Sequence, residues 1–221
     1  LLASRASYKP EDFLSVITIG YAPLILITHP SVPVRNGKEL ADYARANPKK
    51  VAWASSGIGS SLHIGLAVYL GATNAPVTHV PYKGTAPALT DLVGGQVQGM
   101  HTTTVSAEAV IKAQRVRVIA VASPKRLKDF PSVPTLSEAG YPDVNLAGWG
   151  GLFLPAGTPA AIVDKWSQEV RRITNLPDVQ KKIYEMGFEP MGNTPAEFSQ
   201  VIASDLQKWG AVVRANNIKA E

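Results

Sequence analysis

Cysteine is absent from all 221 residues of the sequence. Disulfide bonds, thiolate metal ligands and cysteine nucleophiles are therefore excluded, and the absence suits cytoplasm and periplasm alike. The sequence also lacks any apolar run near the roughly 18 residues that indicate a membrane-spanning helix. Its first residues, Leu1, Leu2 and Ala3, contain neither an initiator methionine nor a secretory leader. We therefore expect that a preceding segment has been lost.

Charge in this sequence is modest and dispersed. The net charge is +5, from 22 basic and 17 acidic residues. The densest basic cluster, Lys125, Arg126 and Lys128, is too short for the basic stripe that nucleic-acid binding requires. No nucleic-acid partner is therefore predicted, whereas a mild positive field favours acidic ligands. The length suits one large domain or two lobes of about 100 residues each.

Short strands and helices alternate through the first two thirds of the sequence. Apolar runs predict a strand pair within 13–28 and further strands at 51–54, 77–81, 97–101, 116–122 and 148–154. Helical patterns predict a helix after Asn36, with Glu39 at capping-box spacing, and helices at 61–70, 85–93 and 106–113. This alternation indicates an α/β fold with a largely parallel sheet. The proline-rich segment 124–142 is predicted to connect two lobes, and mostly helices follow Thr158.

A turn rich in glycine and serine connects the predicted strand 51–54 to the next helix. Gly57 and Gly59 permit a tight backbone path, and the first N–H groups of a helix have no partner inside it. These N–H groups and the positive end of the helix dipole suit a carboxylate or a phosphate. The hydroxyls of Ser55 and Ser60 and the backbone around Ile58 therefore predict anion capture. A structural turn with a helix cap explains the same residues equally well.

Two further strand ends carry small polar residues. Tyr82, Lys83 and Gly84 follow one strand, and His101 and Thr102 lie at the end of another. In a parallel sheet these ends converge with the Gly/Ser turn, at the edge where open α/β sheets bind ligands. The lysine also suits a Schiff-base amine or a plain solvated side chain, and the threonine-rich end suits simple helix capping.

Other chemistries have weaker support in the sequence. Gly57 and Gly59 begin a dinucleotide-binding fingerprint, but Leu62 stands where its third glycine belongs, and no acidic residue follows about 20 residues later. The spacing of a nucleophile elbow is absent. The four histidines lack metal-ligand spacing. His63, in the first helical turn, either packs on the turn or contacts a ligand. We therefore predict no cofactor, no metal site and no catalysis.

A set of short motifs extends along the whole chain in a fixed order. They are Tyr-Lys-Pro-Glu-Asp-Phe at 8–13, Ala-Asn-Pro at 46–48, Ala-Ser-Ser-Gly-Ile-Gly-Ser-Ser-Leu-His at 54–63, Val-Pro-Tyr-Lys-Gly at 80–84, Gly-Gly-Gln-Val at 94–97, Val-Pro-Thr-Leu-Ser-Glu-Ala-Gly at 133–140 and Pro-Ala-Gly-Thr-Pro at 155–159. As an ordered set they resemble the solute receptors of tripartite tricarboxylate transporters, the Bug-type periplasmic binding proteins.

The resemblance implies a periplasmic-binding-protein type II fold, with two lobes around a ligand cleft and the N-terminal part of the first lobe missing. Residues 1–29 and 146–221 would form the remainder of lobe I, and residues 30–145 would form lobe II. The implied function is that of a periplasmic receptor, which captures a small organic carboxylate and delivers it to membrane permease subunits. Dicarboxylates, tricarboxylates and aromatic carboxylates are the ligand classes expected.

The resemblance also assigns ligand loops. The family's second-lobe loop corresponds to residues 55–60, and its Tyr-Lys-Gly turn to residues 82–84. With the neighbouring polar positions, the expected ligand-binding residues are Ser55, Gly57, Ile58, Gly59, Ser60, His63, Tyr82, Lys83, Gly84, His101 and Thr102. The family often has an acidic residue where this chain has residues 101–103. Its absence suits a more anionic ligand, or one without an amino group.

Two other function classes share parts of this pattern. The effector-binding domain of a LysR-like transcription regulator has the same architecture, but it requires a helix-turn-helix segment upstream. An enzyme requires a positioned base or nucleophile, and the serine, histidine and lysine residues here show no triad-like grouping.

Overall fold

The computed structural model describes residues 7–219, which form two compact units. The larger unit contains Pro23–Ala147 and Asn216–Lys219, and the smaller unit contains residues 7–22 and Gly148–Ala215. Within the described residues, no helix is long and apolar enough to cross a membrane.

Strands and helices alternate along the described part of the chain. The strands are β1 (Phe13–Pro23), β2 (Ile25–Thr28), β3 (Ala52–Ser55), β4 (Thr78–Pro81), β5 (Gly99–Thr102), β6 (Arg117–Val121), β7 (Ala147–Pro155) and β8 (Glu189–Pro190). The helices are α1 (Gly37–Ala46), α2 (Ser61–Thr73), α3 (Thr85–Val93), α4 (Thr104–Lys112), α5 (Ala160–Thr174), α6 (Pro177–Glu185) and α7 (Pro195–Ala215). The predicted α/β class is thereby confirmed.

The larger unit is built on a five-stranded sheet in the order β4-β3-β5-β2-β6. β3 runs parallel to β4 and to β5. β2 runs antiparallel to both of its neighbours, β5 and β6. The expected parallel sheet is therefore interrupted by one reversed strand. All of β2 is buried, and an apolar run of this kind does not reveal the direction of a buried strand.

A local sequence signal fixes the start of α1, but the predicted end of α2 is wrong. Oδ1 of Asn36 accepts a hydrogen bond from the N–H of Glu39 at 2.8 Å, as the capping-box spacing predicts. The helix predicted at 61–70 ends too early, because α2 continues through Gly71, a residue typical of helix ends, to Thr73, and Asn74 is its C-cap. Asn74 has a left-handed φ of 50°, which asparagine adopts more readily than most residues. The helix therefore uses the later of two available stop signals.

Trp53 of β3 lies at the centre of the core of the larger unit. Its side chain is fully buried and stacks on the ring of Tyr69, with the ring centroids 6.3 Å apart. A methyl group at Gly99 of β5 would overlap the indole ring. The hydroxyl of Tyr69 donates to the carbonyl of Gly37 at 2.6 Å, which ties α2 to α1. This packing fixes β3 directly before the Gly/Ser turn.

The smaller unit has three strands in the order β7-β1-β8, with β8 antiparallel to β1. Val16 and Ile17 of β1 pack with Val163 of α5 in its core. Phe198 of α7 is fully buried against Gly151, whose backbone allows the ring to approach closely.

The outer face of α5 is more exposed than its sequence predicts. Apolar residues at helical spacing predict a buried stripe, but Ile162 and Trp166 are 46% and 49% exposed. Of the same stripe, Val163 is buried. Helical periodicity shows which residues share a face, but it does not show how much of that face the neighbouring elements cover.

The boundaries of the two units differ from the boundaries predicted for the lobes. The prediction places residues 1–29 in lobe I, whereas the larger unit begins at Pro23. The difference arises because β2 pairs with β5 and β6 in the larger sheet. The other boundary falls at Ala147 and not at residue 145. The assignment of the units to receptor lobes stays a prediction.

Candidate functional site

The Gly/Ser turn follows β3 and leads directly into α2. Ser55 is buried at the end of β3, and its Oγ lies 3.3 Å from both the N–H and the carbonyl of Gly57. Gly57 and Gly59 have φ values of 127° and 76°, which favour glycine. Ser60 then caps α2, since its Oγ accepts from the N–H of His63 at 3.2 Å. Sequence and structure therefore agree on why the chain turns here.

Some backbone N–H groups of this turn remain available. The N–H of Ser60 donates to the carbonyl of Gly57 at 3.2 Å. Among the described residues, none accepts a hydrogen bond from the N–H of Ile58, Ser61 or Leu62. The last two begin α2, where the helix dipole is positive. Because Ile58 is 41% exposed, an anion can approach the turn from solvent.

The serine cap allows a direct test of local stability. Replacing Ser60 with alanine is expected to lower the free energy of unfolding by about 1 kcal/mol, because the N–H of His63 loses its acceptor. Ser61→Ala is the matched control, since the exposed Ser61 lies at the first helical position and makes no capping bond. Urea denaturation measures both variants. Equal stability of the two would contradict the assigned cap.

A stacked pair of histidines lies behind the turn. The rings of His63 and His79 are 4.1 Å apart between centroids and nearly parallel, at 14°. Nδ1 of His63 accepts from the N–H of Gly59 at 3.0 Å. Nε2 of His79 shares a hydrogen bond of 2.7 Å with Oγ of Ser55. His63 therefore packs on the turn, which is one of the two alternatives that the sequence left open.

Both rings of this pair are held in the neutral form. Burial, and then the neighbouring His63, lowers the pKa of His79 to about 4. Burial also lowers the pKa of His63. Sequence reasoning considered His79 only as a metal ligand and missed its contact with Ser55. Among the described residues, no group of three or more histidine or acidic side chains could hold a metal ion.

The turn after β4 lies beside the Gly/Ser turn. The N–H of Tyr82 donates to the carbonyl of Ser55 at 3.0 Å, and a methyl group at Gly57 would lie 3.3 Å from the carbonyl oxygen of Tyr82. Lys83 is exposed, and Gly84 is the N-cap of α3, with a φ of 109°. The structure therefore brings these two strand ends together, and β5, which runs parallel to β3 on its other side, ends at the same edge of the sheet.

The phenol of Tyr82 is held by a neighbouring acid. Its hydroxyl donates to Oδ2 of Asp91 at 2.7 Å. Burial, and then this hydrogen bond, raises the pKa of Tyr82 to about 12. The hydroxyl therefore stays protonated and serves to orient the ring.

His101 and Thr102, at the third strand end, are both buried. Nε1 of Trp53 donates to Nδ1 of His101 at 3.0 Å. An indole N–H only donates, so Nδ1 is the acceptor and the proton of the neutral ring is on Nε2. Burial lowers the pKa of His101 to about 3. The imidazole of His101 therefore packs against the buried indole of Trp53, while its Nε2 and the Oγ1 of Thr102 have no hydrogen-bond partner among the described residues. The expectation that these two side chains line the site stays a prediction.

The comparison with known families agrees with the resemblance found in the sequence. A sequence model described as "Tripartite tricarboxylate transporter family receptor" matches residues 3–218. The chain belongs to this family. A relative from Pseudomonas sp. (strain P51), named "UPF0065 protein in tcbD-tcbE intergenic region", is 33% identical over 211 residues. The match covers 95% of this chain and 63% of the relative, so the chain spans less than two thirds of that protein.

Solved structures share the fold over nearly the whole chain. Rpa4515 of R. palustris, solved with adipate, has a TM-score of 0.83 and 31% identity, covering 99% of this chain and 74% of its own. The periplasmic binding protein BugD has a TM-score of 0.80 and 29% identity, and the match covers 100% of this chain and 75% of BugD. MatC from Rhodopseudomonas palustris, solved with malate, has a TM-score of 0.77 and 30% identity, and the match covers 96% of this chain and 74% of MatC. The predicted periplasmic-binding-protein fold is confirmed.

The family assignment also decides between the alternatives of the sequence analysis. It supports a Bug-type receptor, and no finding supports the effector-binding domain of a LysR-like regulator. The similar proteins named above include binding proteins solved with small dicarboxylates. Receptor function is therefore the starting point for interpreting the Gly/Ser turn.

Proposed function

We propose that the protein is a periplasmic receptor that binds a small organic carboxylate and delivers it to membrane permease subunits. The observation that carries this proposal is the turn before α2, where the N–H groups of Ile58, Ser61 and Leu62 have no acceptor among the described residues. Backbone N–H groups at a helix N-terminus suit a carboxylate without any basic side chain. Membership of the tripartite tricarboxylate transporter receptor family supports the same function.

The proposed ligand contacts lie on the exposed side of the two adjacent turns. The N–H groups of Ile58 and Ser61 and the hydroxyl of Ser60 would hold one carboxylate. The ammonium group of Lys83, which is exposed beside Gly84, would attract it and add a charge-assisted hydrogen bond. Of the other predicted residues, Ser55, Gly57, Gly59, His63 and Tyr82 would shape the turns, and His101 and Thr102, which are buried at the end of β5, stay predicted ligand residues.

A dicarboxylate is the ligand class that we favour. Two relatives at 30% and 31% identity were solved with malate and adipate, which both carry two carboxylates. The net charge of +5 supports an anionic ligand. The two compact units would correspond to the lobes of the receptor, and the second carboxylate would be held outside the Gly/Ser turn. No bond of the ligand is made or broken in this proposal.

A thermal-shift titration with adipate, malate, a tricarboxylate and an aromatic carboxylate tests the proposed function. A ligand at about 100 times its dissociation constant is expected to stabilise the protein by about 2.7 kcal/mol. Adipamide and malamide are the matched controls, since they keep the carbon chain but lack the charge. Recovery of the unchanged acid after incubation separates a receptor from an enzyme. The absence of a shift with every acid, or an equal shift with the diamides, would contradict the proposal.

A further inference from the structure

The two histidines behind the Gly/Ser turn connect its two ends. Ser55 at the start of the turn is hydrogen-bonded to His79, His79 stacks on His63, and His63 accepts from the N–H of Gly59 near the end of the turn. We name these four residues the imidazole clamp. The clamp joins β3, β4 and α2 through contacts that do not involve the outer side of the turn.

The fold explains why these rings meet. β3 and β4 are parallel, with Trp53 in register with His79. Side chains two residues apart in a strand lie on the same face of the sheet, so Ser55 shares that face with Trp53 and His79. His63 is at the third position of α2, three residues after the cap Ser60. The helix start therefore places one imidazole over the other.

The hydrogen bond to Gly59 defines which nitrogen atom of the neutral His63 carries the proton. A backbone N–H only donates, so Nδ1 of His63 is the unprotonated acceptor for Gly59. Because this nitrogen is occupied by the turn, it is not available to a ligand. Gly59 in turn has no free N–H to offer an anion. The clamp thus involves a different N–H group from those of Ile58, Ser61 and Leu62, which have no acceptor among the described residues.

We propose that His63 and His79 are positioning residues that hold the Gly/Ser turn in the shape that presents the N–H groups of Ile58, Ser61 and Leu62 to a carboxylate. This inference rests on the proposed function and extends it to two side chains that touch the turn and not the ligand. It predicts that a group with a polar atom in the same place can replace each imidazole.

Paired substitutions test the clamp. His63→Asn keeps an oxygen near the position of Nδ1, and His79→Gln keeps an amide group near the position of Nε2, whereas leucine at either position removes the polar atom and keeps the bulk. We expect each leucine variant to bind adipate or malate about tenfold more weakly, since a hydrogen bond of the turn is lost. His63→Asn and His79→Gln are expected to stay within about threefold of the unchanged protein. In the exchanged variants, His63→Gln and His79→Asn, the polar atom lies farther from the position of the imidazole nitrogen. They are expected to bind the acid more weakly than His63→Asn and His79→Gln do.

A second measurement needs no ligand. The amide of Gly59 is expected to be protected from hydrogen exchange in the unchanged protein and in His63→Asn, and unprotected in His63→Leu. Imidazole ¹⁵N spectra should show His63 with a bare Nδ1. If the unchanged protein binds no acid, the proposed function fails, and the Gly59 exchange pattern still decides the clamp. Equal Gly59 exchange in all variants, or binding by both leucine variants at the unchanged affinity, would overturn it.

Discussion

Replacing Trp53 with alanine is expected to lower the free energy of unfolding of the larger unit by about 3–5 kcal/mol. The indole is fully buried and packs between Tyr69 and Gly99, so its removal leaves a cavity that rigid neighbours fill poorly. The substitution also removes the donor to Nδ1 of His101, which is buried. An orphaned buried polar group adds to the destabilisation. Urea denaturation followed by circular dichroism measures the loss.

Gly99 provides a partner for a double-mutant cycle. A methyl group there would overlap Cζ3 of Trp53 and lie 2.9 Å from the carbonyl oxygen of Ile27. Gly99→Ala alone is expected to destabilise the protein by about 1–3 kcal/mol through overpacking. In the Trp53→Ala background the same methyl group enters the vacated space, so the two effects should not add. The contact with the carbonyl oxygen remains, so Gly99→Ala is expected to destabilise the Trp53→Ala variant less than it destabilises the unchanged protein, but still measurably.

Gly71→Ala is the matched control for this cycle. Gly71 is exposed in α2, and a methyl group there meets nothing within 4 Å. An alanine in a helix interior is expected to be neutral or to stabilise by up to about 1 kcal/mol. Strict additivity of Trp53→Ala and Gly99→Ala would contradict the packing of the indole on Gly99.

The parts of the site that the sequence predicts are those that depend on local chain geometry. The glycines of the turn, the cap at Ser60 and the helix start that follows all lie within a few residues of one another. Backbone rules at this range are nearly independent of the rest of the fold. The resemblance to a known family then indicates the periplasmic-binding-protein fold, and the proposed ligand class rests on the same resemblance.

The contacts that the sequence does not predict depend on strand pairing. His79 reaches Ser55 only because β4 runs parallel to β3 with one particular register. His101 is also a polar residue at a strand end, and it lies on the same face of the sheet as Trp53, whose indole N–H it accepts. β4 is an edge strand of the sheet, whereas β5 lies between β3 and β2. The order of the strands therefore separates the half-buried His79 from the fully buried His101.

Replacing Gly57 with alanine is expected to weaken carboxylate binding by roughly tenfold to a hundredfold while leaving the core intact. At a φ of 127° a residue with a side chain is strained by about 1–3 kcal/mol. The new methyl group would also lie 3.3 Å from the carbonyl oxygen of Tyr82, a backbone atom that cannot easily move. The turn is therefore expected to relax, which shifts the N–H of Ile58 away from the ligand. Titration calorimetry with adipate or malate measures the change.

The same substitution at two other glycines separates strain from the loss of a ligand contact. Gly71→Ala in α2 introduces neither strain nor a contact, so it should bind as the unchanged protein does. Gly84→Ala has a φ of 109° but no atom within 4 Å of the new methyl group, so it tests strain in the adjacent turn without a collision. Gly84 is the N-cap of α3 and lies beside Lys83. We therefore expect Gly84→Ala to lose more affinity than Gly71→Ala and less than Gly57→Ala. If Gly57→Ala lowers the stability of the protein but leaves its affinity for the acid unchanged, the Gly/Ser turn stabilises the larger unit and does not hold the ligand.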